Sequence, residues 1–220
     1  MRRALYLNHP YGRPVIGWMS EIKNLTTENA LAFYRKHYAP NNAMLIIAGD
    51  VTVPQVRALA EKYYGPIPSK AVPKRVRPKE PPHRAARRVV LKNQRVNLPS
   101  WSRVYLAPSY ATADKNEVYA LEVLSQVLGG GSTSRLYRKL VVERGIASNA
   151  GAWYSGDGLD YGEFGIYVSP KAGGDIDALE KAVLEELDAA LKEGFEAGDI
   201  DRAKRLISAQ AVYARDGLRA

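Results

Sequence analysis

A run of three glycines, Gly129-Gly130-Gly131, stands between an apolar helical repeat and the cluster Ser132-Thr133-Ser134, so no single regular element can pass through it. Glycine tolerates positive φ and closes helices. The hydroxyls beyond the glycines are expected to accept from the orphan N–H groups of a second helix. A phosphate-cradling loop is the other reading of glycines beside Ser and Thr. The Walker pattern, however, needs a Lys before the Ser/Thr, and none stands here.

On either side of the glycines the elements follow from periodicity. Asp114 and Glu117 form a predicted capping-box pair ahead of Val118, Leu121, Leu124 and Leu128, which share one helical face. The second helix is predicted from about Ser134 to Glu143. Residues 147–154 and 164–168 read as a strand pair, with Ser155-Gly156-Asp157-Gly158 as the turn residues between them. Two long helices follow, one with Ile176, Leu179, Val183 and Leu187 on its apolar stripe, the other with Ile200, Ala203, Ile207 and Ala211. Residues 88–91 and 103–107 are two further predicted strands, rich in β-branched and aromatic side chains.

Nearer the N-terminus, Thr26 caps a predicted helix that runs to about Tyr38 and is stopped by Ala39-Pro40. The unbroken apolar run at 43–48 suits a strand buried on both faces. Thr52 then caps a helix with Val56, Leu59, Ala60 and Tyr63 on one face, ending at Gly65-Pro66. The pattern as a whole predicts α+β layers, with helices packed on one face of largely antiparallel sheets. A single clear strand before residue 70 cannot make a sheet alone, so that part is expected to be incomplete.

The chain has 220 residues, 46% of them hydrophobic, enough for a core in one large domain or two small ones. Its formal charge is +9. Residues 70–95 hold ten basic residues against Glu80 alone, and this stretch therefore carries the whole net charge. Pro73, Pro78, Pro81 and Pro82 also lie in it, which predicts an extended, solvated connector, drawn at 70–86, between a domain at 1–69 and another at 87–220. Nucleic-acid binding is not favoured, because the basic residues have no interleaved aromatics before Trp101. There is no cysteine, no apolar run of membrane-spanning length, and no signal-peptide core at the N-terminus. The redox compartment stays open.

Only His9, His37 and His83 could act as imidazole ligands, and none stands three or four residues from another on a helix. His9 precedes a stiff turn, Pro10-Tyr11-Gly12-Arg13-Pro14, and is read as a turn or packing residue. His37 suits the negative end of its helix. His83 is read as a solvated connector residue, since Pro81 and Pro82 deny the helix that would bring it to Glu80. No Gly-x-Ser-x-Gly elbow is present, and Glu185-Glu186 reads as ordinary surface charge. No complete active site emerges.

Several segments carry a resemblance: 9–17 (HPYGRPVIG), 33–43 (FYRKHYAPNNA), Gly49-Asp50-Val51, 60–68 (AEKYYGPIP), 129–147 and 211–216. In this order and spacing the chain resembles the M16 zinc peptidases, the pitrilysin, insulinase and mitochondrial processing peptidase group, over nearly its whole length. The resemblance implies a two-domain α+β half-clamshell with helices on mixed, largely antiparallel sheets. It implies the end of a first domain, the connector, and a second domain truncated at its C-terminal end. In the family an inverted His-x-x-Glu-His helix and a later glutamate hold zinc, which lowers the pKa of its bound water and polarises the scissile carbonyl. All four residues would lie upstream of Met1. Zinc is therefore expected in the full-length parent, and no metal and no catalytic residue in this fragment.

Family halves that clamp the substrate carbonyl carry an Arg and a Tyr seven residues apart, and here those positions hold Val141 and Ser148. Valine donates no hydrogen bond, so this half is not expected to stabilise an oxyanion that way. The pattern resembles the zinc-bearing subunit of the bacterial two-chain type, with a peptide as substrate and a homologous partner subunit supplying the pair. A non-catalytic scaffold half that binds peptide or protein without hydrolysis is the alternative.

Overall fold

The computed structural model describes residues 1–216, which divide into a unit spanning Met1–Arg88 and a second beginning at Val89. In the first unit, short α1 (Arg2–Leu5) is followed by a 3-10 turn at Pro10–Gly12 and by α2 (Met19–Ile22). Helix α3 (Thr27–His37) starts where predicted, the Thr26 hydroxyl accepting from the Asn29 N–H at 3.3 Å. Helix α4 (Val53–Tyr64) opens on a capping box between Thr52 and Gln55. Its predicted apolar face is mostly exposed, with Leu59 and Tyr63 open to solvent.

The strand expected at 43–48 does not form. These residues make no ladder, and Met44 and Ile46 are exposed. A strand exists only through a neighbour's N–H and C=O groups, and among the described residues of this unit there is no other strand to supply them. Residues 88–91 likewise form no strand, and Val89, Val90 and Leu91 are exposed.

The connector is also not a uniformly solvated spacer. Glu80 is buried and accepts from the main-chain N–H groups of Leu7, Asn8 and His9. His83 Nε2 lies 3.6 Å from Glu80 Oε1. The two side chains thus meet without a helix, across a segment of irregular backbone that contains Pro81 and Pro82.

In the second unit, β1 (Trp101–Ala107), β2 (Ala147–Ser155) and β3 (Gly162–Pro170) form an antiparallel sheet in the order β1-β3-β2. Phe164, Ile166 and Val168 alternate along β3 and bury one face, the period of two that a one-sided sheet requires. Helix α5 (Lys115–Gly129) lays Leu128 into that core with Leu121 and Leu124 packed against it, and α6 (Ile176–Glu193) adds Leu179, Ala182 and Val183. Asp114 and Asp175 cap these two helices by accepting from Asn116 and Asp177 N–H. Helix α7 (Ala197–Ala214) packs on α5. Its stripe is covered at Ala203, half-covered at Ile200 and Ile207, and open at Ala211. The class is α+β, helices on an antiparallel sheet.

Candidate functional site

The segment from Gly129 to Pro170 concentrates the irregular geometry of the second unit. Gly129 ends α5 against the backbone of β2: a Cβ there would sit 1.8 Å from Ala152 N, which no side chain permits. Gly131 adopts φ +95°, in the region glycine tolerates best. The hydroxyl that follows does the reverse of what was expected. Ser134 Oγ donates to Gly131 O at 2.7 Å, tying down a carbonyl of the turn instead of accepting from the next helix.

Arg135 leaves the turn toward α6, where its guanidinium reaches Glu193 Oε2 at 2.7 Å and Glu186 Oε2 at 3.7 Å. Glu186 is therefore an ion-paired, largely covered group and not ordinary surface charge, whereas Glu185 is half-exposed and pairs with Arg144 at 3.5 Å. Arg138 and Arg202 both meet Asp199 on α7.

The predicted helix at 134–143 is mostly a π-helix, Tyr137–Glu143. The wider turn keeps Leu136 and Leu140 fully buried and brings Val141 half-buried against the core. Gly145, at φ +61°, turns the chain into β2, and a register shift follows between Ala147 and Asn149. Ser148 is the residue at this bulge. Its side chain is turned back on β3, with Oγ donating to Pro170 O at 2.9 Å and lying 3.3 Å from Ser169 O. A π-helix and a β-bulge thus bracket residues 141–148, and both devices re-aim side chains. A valine and a serine whose hydroxyl hydrogen is already engaged offer no side-chain donor to a substrate carbonyl.

A second polar group lies near the start of α5. Tyr110 donates to Glu122, and Tyr154 OH donates to Pro108 O at 2.6 Å. Burial, then Glu122, pushes both phenols above their ordinary range, with Glu117 and Asp157 adding to the effect at Tyr154. Both therefore stay protonated donors to the chain around α5, Tyr154 tying β2 to the segment before the helix and Tyr110 tying that segment to the helix itself. Sequence reasoning did not find this cluster, nor the Arg135 pairs, because their partners are remote in sequence. For Glu80 a signal was there: a lone acid in a basic run.

The histidines stay apart in role. His9 is buried, its Nδ1 accepting from Tyr11 N–H at 3.2 Å in the turn and its ring edge-on to Tyr11. His37 ends α3 with its ring 4.5 Å from Phe33, and His83 faces Glu80. Among the described residues no three His, Cys, Asp or Glu come together as a metal site, so a zinc ion does not fit the residues present. No described helix is long and apolar enough to cross a membrane.

Residues 24–207 match the family described as the Peptidase M16 inactive domain. The chain belongs to the M16 peptidase family. It is 34% identical over 209 residues to an uncharacterised zinc protease of Streptomyces coelicolor, covering 91% of this chain and 43% of that one. It is 30% identical over 202 residues to zinc protease PqqE of Helicobacter pylori, again 90% of this chain against 43% of the relative. A solved protease structure from Helicobacter pylori matches 99% of this chain and 52% of its own, with a TM-score of 0.82 and 28% identity. The M16 chain thus spans less than half the length of these two named relatives.

Proposed function

We propose that this chain is part of a zinc-dependent M16 metalloendopeptidase that hydrolyses peptides in a chamber formed by two homologous halves. In this reading the zinc ligands and the general base belong to residues of the parent upstream of Met1. Residues 1–69 end its first domain, 70–86 are the connector, and 87–220 are most of its second domain. The match of residues 24–207 to the inactive domain, within relatives named zinc proteases and about twice as long, carries the proposal.

The geometry of 141–148 supports a division of labour. Bracketed by the π-helix and the bulge, the segment is built to present side chains, yet Val141 and Ser148 present no free donor. Stabilisation of the developing oxyanion is then the task of the homologous partner subunit, and this half supplies the wall. The same observation favours a second reading, a non-catalytic scaffold half that holds peptide or protein.

One assay separates the two. The full-length parent and its homologous partner are mixed with an internally quenched peptide, with and without a chelator. Cleavage that stops on chelation and returns with zinc is the expected result. Cleavage indifferent to chelation overturns the metallopeptidase reading, and no cleavage together with retained peptide binding supports the scaffold.

A further inference from the structure

The proposed function leaves unused the one acid of the basic connector. Leu7, Asn8 and His9 present three successive main-chain N–H groups that converge on the Glu80 carboxylate. Leu7 N donates to Oε1 at 2.6 Å, and Asn8 N and His9 N donate to Oε2 at 2.9 and 2.8 Å. Successive N–H groups turned to one side make an anion receptor. Here the anion is supplied by the chain itself, from more than 70 residues downstream.

The contact is closed to water and reinforced around its rim. The Glu80 side chain is 1% exposed, with His83 Nε2 3.6 Å from Oε1. Asn8 Nδ2 donates to Lys79 O at 3.3 Å, and Arg87 donates to the carbonyls of Ala4 and Leu5. Pro81 and Pro82 hold their φ near one value, so Glu80 and His83 are presented together without a helix. Withdrawing the carboxylate would strand three donors and give up three charge-assisted bonds at once.

We infer that Glu80 is an anchoring residue that docks the proline-rich segment onto the first unit, so that the undocked tether between the units begins after Arg88 and not at Lys70. From Val89 to Ser100 the chain forms neither helix nor strand. The inference concerns this chain alone and does not depend on the parent's being a peptidase.

Limited trypsin digestion and amide hydrogen exchange on the 220-residue chain test it, comparing the native sequence with Glu80→Gln. In the native chain, trypsin should cut at Lys92 and Arg95, in the undocked stretch, well before Arg84 and Arg87. Glu80→Gln should speed cleavage after Arg84 and Arg87, and exchange at the Leu7, Asn8 and His9 amides, by roughly tenfold or more. The Phe164 and Ile166 amides of β3 should keep native protection. Unchanged cleavage and exchange in a folded Glu80→Gln chain would overturn the inference. So would native Arg84 cutting as fast as Lys92, an outcome that decides the matter even if the variant does not fold.

Discussion

At the scale of single residues, two glycines of one run do different work. Gly129 is required by contact, since its added Cβ would lie 1.8 Å from Ala152 N, while Gly131 has open space and only its φ of +95° to satisfy. Gly129→Ala should therefore force α5 off β2 and lower stability by about 2–4 kcal/mol, and Gly131→Ala by about 1 kcal/mol. Urea unfolding of the two variants checks the ordering, and equal costs would contradict it. Glu80 makes a prediction in pH. Burial raises its pKa most, but the N–H bonds from Leu7, Asn8 and His9, with His83, more than offset that, and the net value lies below the ordinary 4.5. A carboxyl depressed on folding contributes stability that is whole above its unfolded pKa and is lost as pH falls through the folded one. The stability gap between the native chain and Glu80→Gln should accordingly narrow on acidification, as measured by urea midpoints along a pH series.

At the scale of elements, the helices were largely legible and the strands only conditionally so. Capping side chains and a 3.6-residue stripe are local, so α3, α4 and α5 begin at the capping residues read from the sequence, and α6 follows its predicted stripe. β2 and β3 were legible because a turn joins them and each supplies the other's partner. Residues 43–48 have the composition of a strand without the neighbour, and composition cannot provide one. The π-helix was hidden for another reason. Leu136 and Leu140 stand four apart, a spacing that an α-helix also satisfies, so nothing in the apolar pattern announces the wider turn. Both are fully buried, and Leu140→Ala should cost about 2–5 kcal/mol in the same unfolding assay, with a cost under 1 kcal/mol contradicting the packing described. At 141–148 the lack of a strong side-chain donor was readable from Val141 and Ser148, but the bulge that turns Ser148 onto Pro170 was not.

At the scale of the whole molecule, the first unit exposes apolar side chains that ordinary surfaces keep covered, among them Val15 at 92%, Met44 at 85% and Ile46 at 79%. Surfaces of this kind associate. The isolated chain should show concentration-dependent self-association in sedimentation velocity, reduced by Ile46→Lys together with Met44→Lys. A strictly monomeric native chain would contradict this expectation. The sheet of the second unit carries a consequence for biosynthesis. β3 is the middle strand although it is the last of the three to be made, so β1 and β2 have no bond to each other and must wait for it. On the ribosome, β1 leaves the exit tunnel with its mate still unsynthesised, and the sheet can assemble only after Pro170 has emerged.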